Sequence, residues 1–420
     1  MFKFIHAADI HLDSPLVGLS SYQDAPIELL RGATRRAFAN LVDAALREKV
    51  AFVVIAGDVY DGEWKDFNTG LFFARMLGRL RDAGVEVVLL HGNHDAESNL
   101  TRSLPLPPGV HVFSSKKAET FVLDGLGVAL HGRSFKERET TENLVPGYPD
   151  PLDGLFNVGV LHTALEGNAA HASYAPCSTE ELRNKGYDYW ALGHVHVQSV
   201  VARDPWIVFP GNLQGRHARE LGPKGAMLVT VDEGRIAGAE PLAVDVVRWA
   251  HVEVDATGAA TRNAVEDRAR EALAAVLDRE AGGRTLAVRI TVRGACRAHA
   301  EMLVADDAFV ADLRAIGAGL AADELWVEKV RLETRPDGGA PAAGGLDAAD
   351  DLARLLAEAP IDRDLLEALE ADLRDLVGKL PSDIRTGLEP GPLASLRDGR
   401  FDDIVRDATP LLLARIKRGG

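Results

Sequence analysis

The stretch Val50-Ala51-Phe52-Val53-Val54-Ile55-Ala56-Gly57-Asp58-Val59-Tyr60-Asp61 decides the fold. Val50–Ala56 is an apolar run too short for a globular helix and closed by a glycine, which reads as a buried strand. The Asp58 carboxylate stands at its C-terminal end. Upstream, Ile27–Lys49 has helical spacing, with Leu29, Leu30, Ala33, Phe38, Leu41, Val42 and Leu46 on one broad face. Before that helix lies a strand, Phe2–Ala8, which ends at Asp9. Downstream, Asn68–Ala83 reads as a second helix with Gly84 at its C-cap, and Val85–Leu90 as a third strand ending in Gly92-Asn93-His94-Asp95. Shorter strand-like runs follow at Val110–Phe113, Phe121–Leu123, Val128–His131, Val158–Leu161, Tyr189–Leu192, Gln198–Ala202, Ile207–Phe209 and Ala226–Val231. Early βαβ units followed by shorter β runs predict an α/β fold over residues 1–247, two packed sheets flanked by helices.

Several of these strands end on side chains of metal-ligating type. The motifs are Asp9-Ile10-His11, Gly57-Asp58 with Asp61, Gly92-Asn93-His94-Asp95, Leu161-His162 and Gly193-His194-Val195-His196. Loops at strand C-termini converge on one edge of a sheet while the strands hold them rigid. A mixed Asp/His/Asn set suits divalent ions of intermediate hardness, which points to metal-assisted cleavage of a phosphoester. Two metals about 3.5–4 Å apart need a bridging ligand, and Asp58 is the natural bridge. Asp9, His11 and His196 would complete one site; Asn93, His162 and His194 the other. In an extended segment His194 and His196 point the same way, as do Asp9 and His11. Asn93 contributes a neutral oxygen that limits negative charge where a phosphate must approach.

His94, directly after a candidate ligand, is expected to serve as general acid or to stabilise the charged transition state, with Asp95 orienting it. His6 reads as a core histidine, and His91 and His131 as structural. Gly211-Asn212-Leu213 and the basic run Arg216-His217-Ala218-Arg219 are expected to shape a substrate groove, with Arg216 as a substrate contact. The sequence holds neither a Gly-x-Ser-x-Gly elbow nor a Gly-x-x-x-x-Gly-Lys-Ser/Thr loop, so it offers no serine nucleophile of that type and any use of ATP must come from a partner.

Residues 248–336 read as a smaller α+β domain: strand Ala250–Val254, helix Thr261–Arg279, strand Thr285–Val292, helix Ala305–Ile316, strand Glu324–Thr334. Leu286, Val288, Ile290 and Val292 alternate with Thr285, Ala287, Arg289, Thr291 and Arg293, the pattern of a half-buried strand. Its outward arginines either touch a phosphate backbone or form a solvated face. Residues 337–346 are a linker by composition. Residues 347–420 carry leucines at helical spacing, among them Leu352, Leu355, Leu356, Leu365, Leu366, Leu369 and Leu373, and are expected to form a helical tail that either packs on its own chain or docks a partner.

The chain has 420 residues and is 46% apolar, enough for more than one domain with a real core. Its N-terminus opens directly into a strand-like run, without a basic segment and long apolar stretch, and its two cysteines, Cys177 and Cys296, form no metal-binding pair. A reduced, cytoplasmic protein without a membrane span is expected. A net charge of −16 argues against coating DNA electrostatically but not against cutting it, because bound cations invert the local field.

The motif set resembles the calcineurin-like metallophosphoesterase superfamily. Phe4-Ile5-His6-Ala7-Ala8-Asp9-Ile10-His11-Leu12-Asp13 is similar to the opening of SbcD-type DNA repair nucleases. Gly57-Asp58-Val59-Tyr60-Asp61-Gly62-Glu63-Trp64 and Pro210-Gly211-Asn212-Leu213-Gln214-Gly215-Arg216 look closer to the YhaO-like branch. The resemblance covers about the first 245 residues. It implies an αββα sandwich carrying a cap domain, two divalent metal ions with a lean to manganese, and a DNA exonuclease with endonuclease activity as a second capacity. It also implies a homodimer working with an SbcC-like coiled-coil ATPase in DNA repair. The family's ligand positions agree with those read from the residues. One departure stands out: better-known members place a second catalytic histidine where this chain has Asp61. Two other readings remain open. One is a phosphodiesterase of small molecules such as cyclic nucleotides, which would need neither cap nor tail; the other is a non-catalytic scaffold, which would have no use for an intact ligand set.

Overall fold

The computed structural model describes residues 1–14, 26–61, 67–97, 106–166, 174–322 and 324–337, with Ser395, Asp398 and Arg400. The linker beyond Asp337 and, apart from those three residues, the leucine-spaced tail lie outside the described residues. The described residues divide into two compact units, the first made of Met1–His251, Ala275–Arg289 and Ala321–Glu328, the second of Val252–Ala274, Ile290–Leu320 and the stretch from Lys329 to Asp337.

In chain order the first unit holds β1 (Phe2–Ala7), α1 (Ile27–Arg31), α2 (Ala33–Glu48), β2 (Phe52–Ala56), α3 (Phe67–Asp82), β3 (Glu86–Leu90), α4 (Asn93–Glu97) and β4 (Val110–Val112). Then come β5 (Glu119–Leu123), β6 (Val128–Gly132), β7 (Phe156–His162), α5 (Thr179–Asn184), β8 (Tyr189–Gly193), β9 (Ser199–Arg203), β10 (Trp206–Phe209), β11 (Gly225–Asp232) and β12 (Arg235–Ala243). One sheet has the order β12-β11-β1-β2-β3-β4, the other β5-β6-β7-β8-β10-β9. β1 through β4 run parallel, as do β6, β7, β8 and β10. Parallel neighbours end on the same edge, which is how residues remote in sequence come to share one place.

Alternation along the strands sorts side chains to two faces. Phe4, Phe52, Val54, Val88 and Leu90 of the first sheet meet Leu130, Val158, Val160, Tyr189 and Ala191 of the second. Their neighbours Ile5, Val53, Ile55, Val87 and Leu89 turn outward against Phe38, Leu41, Val42, Phe73 and Leu77 of α2 and α3. On the far side Leu161, Trp190, Leu192 and Ile207 pack with Leu144, Val145, Tyr148 and Leu182. The layers are therefore helix, sheet, sheet, helix, the expected sandwich. Burial of each such large side chain contributes roughly 1.5–3 kcal/mol. His6 sits between the sheets as a satisfied core group. Its Nε2–H donates to Leu192 O at 3.0 Å and its Nδ1 accepts from Tyr189 at 3.0 Å, and burial pulls its pKa down to about 3.

The remaining elements are β13 (Val247–Asp255), α6 (Arg262–Glu280), β14 (Thr285–Cys296), α7 (His299–Val304), α8 (Asp306–Ala321) and β15 (Leu325–Pro336), with β13, β14 and β15 forming a three-stranded sheet. The structure departs from the expected elements in a few places. The helix expected over Ile27–Lys49 breaks at Gly32, which takes φ −91° and ψ 2° and caps α2. β14 is not half-buried: Ala287 and Thr291 are buried along with Leu286, Val288, Ile290 and Val292. β12 was not expected, because its exposed residues, with Gly238 and Pro241 among them, show no apolar alternation. Among the described residues no helix is long and apolar enough to cross a membrane.

Candidate metal centre

The C-terminal ends of β1, β2, β3, β7 and β8 deliver Asp9, Asp58, Asn93, His162 and His194 to one place, and His11 and His196 follow two residues after Asp9 and His194. The turns are built under constraint. Asp9, His11, Asp58 and His194 all have positive φ, at 51°, 46°, 54° and 96°. For residues with a side chain this costs of order 1–3 kcal/mol each and persists only where the surroundings enforce it. Here the first two loops are pinned together: Asp9 N–H donates to Gly57 O, His11 N–H to Asp58 O and Leu12 N–H to Val59 O, at 2.9–3.0 Å. Approach is close enough to demand glycine. A Cβ on Gly193 would lie 2.0 Å from Ala56 O, and one on Gly92 2.3 Å from Asp58 Oδ1.

The donors form overlapping groups, each within 4.8 Å: Asp9, His11 and His196; His11, Asp58 and His94; Asp58, His162 and His194. Asp58 thus reaches both ends of the cluster, as a bridge must. The hydrogen bonds settle which atoms face inward. His162 Nδ1 lies 2.8 Å from Ala56 O, a carbonyl that can only accept, so the proton is on Nδ1. Its Nε2 then faces two oxygens, Asn93 Oδ1 at 3.0 Å and Asp58 Oδ2 at 3.4 Å, and must carry either a proton or a cation toward them. His196 Nδ1 lies 2.7 Å from Glu220 Oε1, so it too is the donor, and its Nε2 faces His11 Nε2 at 3.2 Å. Lone pairs brought together in a buried place need a cation or a proton between them. The donor set, with its outer hydrogen bonds in place, fits a pair of divalent cations.

The protonation equilibria show how the metal-free cluster is held together. Burial works against a charge on His162, but Asp58 outweighs it and raises the pKa to about 9. Burial also works against ionisation of Asp58, and the His162 charge overcomes it, holding the carboxyl far below its usual range. Asp9 is pushed up to about 6 by burial, against the pull of His196 and His162. His11 falls to about 4 through burial and the Arg216 charge.

His94 lies at the rim, its side chain 29% exposed, and its backbone N–H donates to Asp58 Oδ1 at 2.9 Å. Asp95 does not orient it, contrary to expectation. The Asp95 carboxylate turns inward and accepts from the N–H groups of Val59 (3.1 Å), Tyr60 (3.0 Å) and Gly92 (3.2 Å), pinning the β2 and β3 turns. Successive side chains on a helical turn diverge, so sequence neighbours on α4 face different partners. Asp61 stands beside His94 instead, its Oδ1 3.2 Å from His94 Nδ1, 3.4 Å from His11 Nδ1 and 3.6 Å from Arg216 Nη1, while Ser14 donates to its Oδ2 at 2.8 Å. Burial opposes the Asp61 charge, but the bond from His11 prevails and holds its carboxyl below the usual range. Arg216 is brought to the centre, whereas Gly211, Asn212 and Leu213 are buried and shape the loop rather than a groove. His131 is structural: Thr120 and Asn157 hold its two nitrogens at 2.8 and 3.0 Å.

Glu220 was not foreseen. Nothing in its local sequence marks it; only the fold of the loop between β10 and β11 carries it to His196. Burial opposes its ionisation, and the hydrogen bond and charge of His196 outweigh that.

The calcineurin-like phosphoesterase family matches residues 2–198, and the middle domain of metallophosphoesterase YhaO matches residues 249–335. The chain is 35% identical over 295 residues to the uncharacterized metallophosphoesterase YhaO of Bacillus subtilis, covering 69% of this chain and 71% of that one. It is 28% identical over 215 residues to the DNA double-strand break repair protein Mre11 of Methanopyrus kandleri, covering 47% of this chain but only 45% of the relative. A dimetal phosphatase from Danio rerio aligns with 58% of this chain and 97% of its own at 13% identity and a TM-score of 0.33.

Proposed function

Because the chain belongs to the calcineurin-like phosphoesterase family, we propose that its metal centre serves a two-metal DNA phosphodiesterase, an exonuclease with endonuclease activity as a second capacity. The observation that supports this most is the convergence of His162 Nε2, Asn93 Oδ1 and Asp58 Oδ2, and of His11 Nε2 and His196 Nε2, in one buried cluster of metal-ligating side chains. When bound, a pair of divalent ions, manganese by preference, would neutralise phosphoryl charge and activate water. Asp9, His11, Asp58 and His196 would hold one ion, and Asp58, Asn93, His162 and His194 the other. His94, partly exposed, with Asp61 against its Nδ1, has Nε2 left to face the leaving oxygen as proton donor. Arg216, tethered by Asp61 and Glu220, is the candidate contact for a substrate phosphate.

DNA as substrate is supported by the kinship with the Mre11 repair protein. A net charge of −16 means weak intrinsic affinity for DNA, so an SbcC-like ATPase is proposed to supply it. The chain is proposed to act as a homodimer. The test is end-labelled single- and double-stranded DNA with manganese, magnesium or chelator, with His94→Gln as the contamination control. Manganese-dependent shortening that vanishes in the variant is expected. Hydrolysis of cyclic nucleotides with DNA left intact would replace this reading with the small-molecule one.

A further inference from the structure

The two proposed cation positions differ in what holds their histidines. The His162 ring is held through Nδ1 by a backbone carbonyl, Ala56 O. The His196 ring is held through Nδ1 by a side chain, the nearly buried Glu220. Glu220 Oε1 takes the His196 proton at 2.7 Å, and its Oε2 accepts from Arg216 N–H at 2.6 Å and Asn212 Nδ2 at 3.0 Å. The buried Lys224 ammonium donates to the His196 carbonyl at 3.0 Å, so His196 is gripped at both its ring and its backbone.

We propose that Glu220 is a positioning residue that sets the affinity of the Asp9–His11–His196 cation position, and of that position alone. It does so by keeping the His196 proton on Nδ1 and the lone pair on Nε2. The inference rests on the proposed binding of cations at this centre. Carboxylate orientation of a ligating imidazole is a general device, and its loss typically costs about 10- to 100-fold in metal affinity. What is specific to this chain is the chemistry on Oε2. Two N–H donors point there, so this oxygen must remain an acceptor.

Glu220→Gln therefore makes a sharp test. A glutamine has one acceptor oxygen and one donor NH2 group. Two donors within hydrogen-bond distance of the Oε2 position, against His196 Nδ1 alone within that distance of Oε1 (Arg216 Nη2 and His217 Nε2 stand off at 3.8 Å), favour the oxygen facing Arg216 N–H and Asn212. The NH2 then points at His196 Nδ1, which must accept, and the proton moves to Nε2. The ligand atom is capped without any change in side-chain volume.

The experiment is manganese binding to the full chain by calorimetry and equilibrium dialysis, with side-chain nitrogen NMR of the metal-free protein reporting the His196 tautomer. Asn157→Ala serves as a destabilised control remote from the centre; its amide holds the loop before β7 through Leu152 and Leu155. Glu220→Gln is expected to show an Nε2-protonated His196 and to weaken one of two manganese sites about 10- to 100-fold, leaving the other at its wild-type affinity. Asn157→Ala is expected to lower Tm with both affinities kept. Two wild-type sites in Glu220→Gln, or equal weakening of both, overturns the role of Glu220 while leaving the metal centre standing. A wild-type chain that takes up no manganese overturns both.

Discussion

Charged and polar side chains are arranged in opposite ways at the metal centre and on β14. At the centre, groups converge that only a proton or a cation can reconcile: His162 Nε2 faces Asp58 and Asn93, and His11 Nε2 faces His196 Nε2. On β14, donor meets acceptor. Arg289 forms a two-pronged pair with Glu328, both distances 2.9 Å, and Arg293 pairs with Glu253 at 2.8 Å and Glu333 at 3.0 Å. The two regions look alike in sequence, since each presents polar side chains on or beside a strand. They differ in whether the fold completes the valence of those side chains. A buried set left incomplete is tuned for something the chain does not itself contain, whereas a completed set holds the chain together.

The largest expected effect falls on the residue shared by both cation positions. Asp58→Ala should reduce manganese stoichiometry from two toward none and lower turnover on the order of a thousandfold or more. Full occupancy of both sites in that variant would show that the acceptors need no common bridge, and the contrast with β14 would collapse. His94→Gln comes next. Both ions should remain, with kcat lower by about 100- to 10,000-fold and KM little changed. His94 also lies within ligand reach of His11 and Asp58. Loss of one manganese in His94→Gln would therefore reassign it from proton donor to ligand.

How much of this was legible in the sequence follows from the same contrast. Asp9, Asp58, His162 and His194 announced themselves because each lies at or just past the end of an apolar strand, and parallel strands bring such ends to one edge. Their partners did not. Asp61 belonged to the quoted motif, yet its contacts with His94 and His11 depend on how two loops meet. Glu220 stands 24 residues after His196, and the loop path between them leaves no local trace. Asp95 misled because adjacency along the chain was taken for adjacency in space. Arg289 and Arg293 suggested a phosphate contact because cross-strand register, which supplies Glu328, Glu333 and Glu253, cannot be read before the pairing of strands is known.

A smaller effect concerns pH in the metal-free protein. The folded pKa of His162 is about 9 against an ordinary 6.5, so the folded state holds a proton that the unfolded state releases. The resulting stability is fully present below pH 6.5 and is lost as pH rises through about 9. Metal-free Tm should therefore fall by several degrees between pH 6.5 and 9.5, at about 2–4 °C per kcal/mol for a unit of this size. Manganese replaces that proton, so the gain in Tm on adding the ion should grow over the same interval. His162→Gln should flatten the metal-free trend. A trend that survives the substitution would place the titrating group elsewhere.

The smallest effects are expected where the valences are complete. Arg289 is 15% and Glu328 5% exposed, so Arg289→Ala strands a carboxylate in a poorly solvated place and should cost about 3 kcal/mol. Arg293 is 50% exposed and its glutamate partners 56% and 47%, so Arg293→Ala should cost under about 1 kcal/mol. Neither should alter the dependence of DNA binding on salt, because a phosphate contact adds about one counterion to that slope, whereas an arginine already matched by carboxylates adds none. The measurement is a DNA titration at several salt concentrations for wild type and Arg293→Ala. A slope lower by about one in the variant would mean that Arg293 leaves Glu253 and Glu333 for the nucleic acid. The completeness of its pairing would then describe only the free protein, and β14 would join the metal centre as a surface waiting for a ligand.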